Sequence, residues 1–193
     1  AGASVLGGVA LAPIDIDTDK SLNSEKISAA VKPDDPHCPI SKLLSMENTV
    51  SGKAIPLKKM QQAKETARKF GLSTHLDGAR FFNATTELNC SAADLSDCAD
   101  TVSVCLSKGL GSPAGSVLAL PKELSNKARR WRKMLGGAMR QAGIIAAAGI
   151  FALENNIDRL KEDHQKIDLL AKSLQKFCGD GKDDVKIVCN TNM

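Results

Sequence analysis

The stretch from Lys42 to Gly78 constrains the fold more than any other part of this chain. It opens with an apolar run, Lys42 to Met46 (KLLSM), that reads as a buried strand and ends at Glu47-Asn48-Thr49. After Gly52, Pro56 opens a helix at a first-turn position, where its missing N–H would have no partner anyway. Leu57, Met60, Ala63, Ala67 and Phe70 fall on one helical face, and Gly71 supplies the C-terminal cap. A second strand, Leu72 to Leu76, then runs into Asp77-Gly78-Ala79-Arg80. Strand, helix and strand at this spacing make a βαβ unit, which gives a parallel sheet with ligands outside the carboxyl ends of its strands. The expectation is an α/β fold, a mostly parallel sheet flanked by helices.

A further strand is predicted at Thr101–Gly115 (TVSVCLSKGLGSPAG), where Val102, Val104 and Leu106 give way to Ser107-Lys108 and a glycine-rich loop. Ser91 caps the intervening helix, with Asp94 three residues on. Asp77 and Lys108 thus stand at the ends of successive strands. One reading is a snorkelling lysine and a simple ion pair at a sheet edge. The other is a cofactor site of the pyridoxal phosphate type, with the lysine as Schiff-base amine and the carboxylate on the pyridinium nitrogen. The residues alone leave both open.

The rest of the chain adds elements and exclusions. Val9, Leu11 and Ile14 alternate toward a short strand, with Pro13 arguing against a central place. Asn23 caps a helix from Ser24 to about Val31, with Glu25 in its first turn, and a Pro33–Pro36 segment stops it. His37 follows in a loop. Ser116 to Leu120 reads as a strand, Pro121 starts a helix to about Lys133, and Gly136-Gly137 breaks it. Met139 to Leu153, apolar throughout, reads as a buried helix. Ile157 to Phe177 is amphipathic through Leu160, Leu169, Leu170 and Leu174, and Val185–Val188 starts a strand. At 193 residues, 42% apolar and 25% charged, the composition is that of a globular protein. No run approaches the ~18 apolar residues of a membrane span. Aromatics are 3% and the net charge is +4, which argues against a nucleic-acid platform. The basic cluster from Lys127 to Lys133 reads as a solvated helix face. The six cysteines show no zinc spacing with the three histidines, so no metal is expected. Cys105 reads as a small hydrophobe inside its strand, and the thiols as reduced in a cytoplasmic compartment.

At PDD-H (33–37), KLLSMENT (42–49), HLDGARFFNA (75–84), CLSKGLGSPAGS (105–116) and the run 129–153, the sequence resembles the low-specificity L-threonine aldolases. The resemblance implies the large domain of the type I pyridoxal-phosphate fold over residues 1–154, and the start of a small C-terminal α+β domain over 155–193. It implies pyridoxal 5'-phosphate as cofactor, with Lys108 as the Schiff-base lysine and Asp77 as the ring-nitrogen partner. Arg80 is implied near the cofactor oxygen and the substrate carboxylate, and His37 beside the substrate hydroxyl. Lys133 and Arg140 are implied near the site, from the same or the neighbouring subunit of a homodimer or homotetramer.

The implied activity is retro-aldol cleavage of L-threonine or L-allo-threonine to glycine and acetaldehyde, a lyase of amino-acid metabolism serving threonine catabolism and glycine biosynthesis. The alternatives are another type I lyase, β-eliminating or serine hydroxymethyltransferase-like, and a catalytically silent chain retaining only a subunit surface. The sequence departs from the family pattern at Val50, where members often carry a histidine. Family chains also extend at both ends, so the expectation is an internal fragment or truncated chain with weak cofactor retention and little activity.

Overall fold

A computed structural model describes residues 2–178 of the chain, so the strand expected at Val185–Val188 lies outside the described residues. The βαβ unit forms as its periodicity requires. Strand β1 (Leu43–Glu47) leads through a helix, Leu57–Lys69, to β2 (Ser73–Gly78). The chain then passes through two helices, Phe81–Leu88 and Ala92–Ser96, to β3 (Thr101–Cys105), and turns back into β4 (Ser116–Ala119). The sheet order is β1-β2-β3-β4, with the first two pairings parallel and β4 antiparallel to β3.

The helices, in chain order, are α1 (Gly2–Gly7), α2 (Ser24–Ala30), α3 (Leu57–Lys69), α4 (Phe81–Leu88), α5 (Ala92–Ser96), α6 (Ser125–Met134), α7 (Gly143–Asn155) and α8 (Leu160–Cys178). Capping follows the local sequence. Asn23 accepts from the Lys26 N–H at 2.8 Å, and Ser91 and Asp94 form a reciprocal capping box. Gly71 takes φ +66° after α3, a left-handed position suited to glycine.

One face of the sheet is a true core. Leu44 and Met46 of β1, Leu76 of β2, and Val102 and Val104 of β3 pack with Ile27, Met60, Ala67, Ala84 and Leu95 from the helices. A clamp joins the starts of β2 and β3. The Asp100 carboxylate accepts from both the Thr74 N–H (2.7 Å) and hydroxyl (2.9 Å), while the Asp100 N–H donates to the Thr74 carbonyl. A second, smaller cluster joins Leu106 and Leu110 to Ala152 of α7 and Leu160 of α8.

Several expectations are corrected. Val9, Leu11 and Ile14 form no strand; the chain there is irregular after α1, where Pro13 removes a ladder donor. Phe70 turns outward at the end of α3, 45% exposed. The apolar helix α7 is not buried: Ile144 is 88% and Phe151 61% exposed, and only Gly149 and Ala152 are buried. An all-round apolar helix is suited to burial on every side, but in this chain only one narrow stripe has something to pack on. In α8, Leu160 is buried whereas Leu169, Leu170 and Leu174 face solvent. Cys105 alternates away from Val104, onto the face opposite the core. Cys38, Cys90, Cys98 and Cys105 are free thiols, and burial pushes the Cys98 thiol up to about 11. Among the described residues, no helix is long and apolar enough to cross a membrane.

Candidate active site at the strand ends

Alternation puts the polar residues of the parallel strands on the uncovered sheet face. One register row runs Ser45, His75, Thr101, with the His75 Nδ1 and Thr101 hydroxyl 2.8 Å apart. The next row, at the carboxyl ends, runs Glu47, Asp77, Ser103. The Asp77 Oδ1 accepts from the Ala79 N–H at 3.1 Å, which fixes the carboxylate at the turn. Gly78 has no room for a side chain, since a Cβ there would lie 2.8 Å from the Ser103 carbonyl oxygen. That close approach lets β2 end beside β3 and carry its chain on to Arg80, which is half-buried at the start of α4.

Lys108 sits three residues beyond the end of β3, and its side chain is exposed. Burial therefore does not single it out; its fixed position does. The Lys108 carbonyl accepts from the Gly111 N–H at 2.8 Å, and the Leu110 carbonyl from the Asn156 side-chain amide at 2.8 Å. Gly111 takes φ +74°, the left-handed turn that brings the chain back. Gly109 seats against α4 and α8, where a Cβ would stand 2.8 Å from the Asn83 Oδ1 and 3.0 Å from the Leu160 Cδ2. Asn83 in turn donates its amide to the His164 Nε2 at 3.2 Å.

Electrostatics tie the three strand ends together. Partial desolvation pushes the Glu47 carboxyl up from its ordinary value, the Asp77 charge adds to this, and Lys108 and Arg80 oppose it. Burial raises the Cys105 thiol, but hydrogen bonds with Ser107 and Ser116 and the Lys108 charge outweigh it and hold the thiol below its usual range. Lys108, Asp77 and Arg80 are thus brought into one charged group, together with two residues, Glu47 and Cys105, to which the sequence assigned no role. The signal for Glu47 was the alternation of LLSME, which puts it on the same sheet face as Asp77 of HLDG.

The other sequence-predicted site residues stand apart. His37 is 93% exposed in the loop before β1, its Nδ1 2.9 Å from the Asp35 Oδ1. Lys133 lies exposed in α6, and Arg140 is exposed in the segment before α7. Among the described residues, no group of histidine, cysteine and carboxylate side chains is arranged to hold a metal. A mostly apolar groove of about 860 Å³ lies between residues 8–16, α2 and β1, and meets the charged group only at Glu47.

Comparison with known proteins connects this arrangement to a family. A family model described as beta-eliminating lyase matches residues 1–192. The chain is 45% identical over 179 residues to a low specificity L-threonine aldolase of Escherichia coli K12, covering 93% of this chain and 54% of that one. It is 39% identical over 157 residues to an alanine racemase of Cochliobolus carbonum, covering 80% of this chain and 40% of that one. A solved threonine aldolase of Leishmania major superimposes with a TM-score of 0.69 at 21% identity, over 83% of this chain and 48% of that one. The expected α/β fold is therefore the observed one. The chain spans about half the length, or less, of these relatives.

Proposed function

This chain belongs to the beta-eliminating lyase family, and from that premise we propose that its site serves the retro-aldol cleavage of L-threonine or L-allo-threonine to glycine and acetaldehyde, with pyridoxal 5'-phosphate as cofactor. The observation that supports this reading is that Asp77 ends β2 with Arg80 just beyond it, while the adjacent parallel strand β3 runs into the fixed turn that carries Lys108. This donor set fits the cofactor. Lys108 would hold it covalently, and the Asp77 carboxylate would keep its ring nitrogen protonated. When bound, the group supplies an electron sink for the pair released at the substrate α-carbon.

The protein's own residues then have distinct tasks. Arg80 pairs with the substrate carboxylate and fixes which α-carbon bond is broken, a positional effect worth orders of magnitude. His37 takes the proton of the substrate β-hydroxyl. A carboxylate can only accept, so the Asp35 contact makes Nδ1 the protonated nitrogen and leaves the Nε2 lone pair for that task. The His37 N–H and ring hold the Asp35 carboxyl below its usual range, keeping it an acceptor. Lys133 and Arg140, both exposed, would serve the substrate site of their own or of a neighbouring subunit. The described residues up to 154 would form the cofactor domain, against which the start of α8 packs through Leu160 and His164. The exposed apolar side chains of α7 suit a homodimer or homotetramer, and the setting is cytoplasmic amino-acid metabolism.

The likeness to an alanine racemase favours a second reading, in which the same amine and carboxylate move a proton at the α-carbon without breaking a carbon–carbon bond. Pyridoxal phosphate is added to the purified protein, reduced with borohydride and located by peptide mapping, and threonine and alanine are assayed in parallel. Pyridoxyl on Lys108 is the expected result, with acetaldehyde as the product of threonine however slowly this chain forms it. Label confined to other lysines overturns the site, and D-alanine without acetaldehyde overturns the aldolase reading in favour of the second.

A further inference from the structure

His164 of α8 is buried and has no task in the chemistry above. Its imidazole is held between two groups of α4. The Nε2 is 3.2 Å from the Asn83 Nδ2, and the Nδ1 is 3.5 Å from the Glu87 Oε2. An amide nitrogen only donates, so Nε2 is the accepting nitrogen and Nδ1 carries the proton that faces Glu87. Asn83 is itself buried, and its amide touches a neighbour at each end. While Nδ2 is taken by His164, Oδ1 is the atom turned toward Gly109. A Cβ on that glycine would lie 2.8 Å from Oδ1 and 3.4 Å from Nδ2.

The direction of that amide matters to the loop. The two ends of an asparagine amide are alike in shape and its terminal torsion is two-fold, so packing alone does not choose between them. His164 makes the choice. With the oxygen toward Gly109, the amide offers an acceptor to the glycine Cα–H and the backbone can come close. Turned over, it would press an NH2 group on the same hydrogen and set Oδ1 against the Nε2 lone pair. Gly109 directly follows Lys108, whose carbonyl accepts from the Gly111 N–H at 2.8 Å. Asn83 stands three residues after Arg80, on the helix that Arg80 begins. The series Glu87, His164, Asn83, Gly109 therefore joins the helix behind Arg80 to the turn that carries Lys108.

We infer that Asn83 and His164 are positioning residues of this site. His164 sets the direction of the Asn83 amide, and the amide sets where the Lys108 turn stands relative to Arg80. Their importance for the reaction rests on the reading of Lys108 as the cofactor-bearing amine; the geometry stands without it. A second clasp acts one residue further on, where the Asn156 amide at the end of α7 donates to the Leu110 carbonyl at 2.8 Å. That clasp holds the turn from the other side and leaves the seat of Gly109 to Asn83.

Amide hydrogen exchange in the 193-residue protein, without cofactor, reads the turn through the Gly111 N–H. His164→Leu should lower the Gly111 protection factor by about three- to tenfold, the weight of one hydrogen bond. Asn83→Ala should lower it alike, and adding His164→Leu to that variant should change Gly111 no further. His164→Gln, which keeps an acceptor for the Asn83 amide, should restore wild-type protection. Unchanged Gly111 protection in either folded single variant overturns the inference. So does an additive double variant, or a folded His164→Gln protein protected no better than His164→Leu. With pyridoxal phosphate added and reduced by borohydride, His164→Leu should lower the pyridoxyl yield on Lys108 but not on the exposed Lys69 of α3. Equal Lys108 yields overturn the positioning role, whereas absence of label from wild-type Lys108, with the exchange results intact, overturns the cofactor reading instead.

Discussion

Replacing Gly109 by alanine tests whether the Lys108 loop is held in place by packing on α4 and α8. Gly109 does not have a left-handed φ, so alanine is permitted by the backbone. On that ground alone the substitution should stabilise by about 0.4–1 kcal/mol, through a less flexible unfolded chain. Sterics act the other way. The new methyl would lie 2.8 Å from the Asn83 Oδ1 and 3.0 Å from the Leu160 Cδ2. Asn83 has little freedom to retreat, since it is buried and bonded to His164, whose Nδ1 faces Glu87 at 3.5 Å. Overpacking of this kind costs about 1–3 kcal/mol, so the net expectation is a loss of about 0.5–2 kcal/mol. Urea denaturation followed by circular dichroism measures it. The double mutant Gly109→Ala/Asn83→Ala supplies the cycle, and the penalty for alanine should shrink once the Asn83 amide is gone. A stabilised Gly109→Ala protein, or an additive double mutant, would refute the claim that this contact seats the loop.

Two other substitutions address the sheet and the surface. Asp100→Asn should cost about 1–2 kcal/mol near neutrality, because two Thr74 donors lose a charged acceptor. Desolvation raises the Asp100 carboxyl, but the Thr74 donors and then Lys64 outweigh it, so its folded value is depressed. Its contribution is therefore complete above the ordinary aspartate range near ~4 and fades as the pH falls through the lower folded value. Wild type and variant should converge in acid; a gap that stays constant down to acid pH would count against the clamp. Ile144→Glu combined with Phe151→Glu should leave the unfolding free energy of the chain within about 0.5 kcal/mol, as for exposed positions. Any self-association seen by analytical ultracentrifugation should weaken. Unfolding of the double variant would show that these side chains are enclosed within the chain's own fold.

What the sequence made legible was what local rules decide. The β1–α3–β2 unit could be read because periods of 2 and 3.6 alternate there, and Asn23 and Ser91 cap as short-range chemistry dictates. Asp77 and Lys108 could be placed at strand ends for the same reason. What stayed hidden depends on partners far along the chain. Glu47 gains significance only from its register with Asp77, thirty residues on. Cys105 looked like a core residue because it stands among valines, and only the strand's alternation separates it from them. The apolar content of α7 and the leucines of α8 expressed a tendency to be buried without saying what would cover them. The helix Gly2–Gly7 is closed by Gly8, whose φ of +63° and N–H bond to the Ser4 carbonyl form a C-terminal cap, but that signal was hidden among the other glycines of the opening. His37, Lys133 and Arg140 came from family resemblance, and their proposed tasks involve groups their own elements do not touch.

The strand order has a consequence for how the protein is made. Among the described strands, neighbours in the sheet are also neighbours along the chain, so β2, β3 and β4 each emerge from the ribosome with a partner already synthesised. Translation at about 5–20 residues per second is slow beside hairpin or helix formation, which lets the sheet grow outward from β1 strand by strand. In that sequence of events β1–β2 pairing can bring Glu47 and Asp77 side by side without waiting for β3 or for the loop that carries Lys108 to join the sheet.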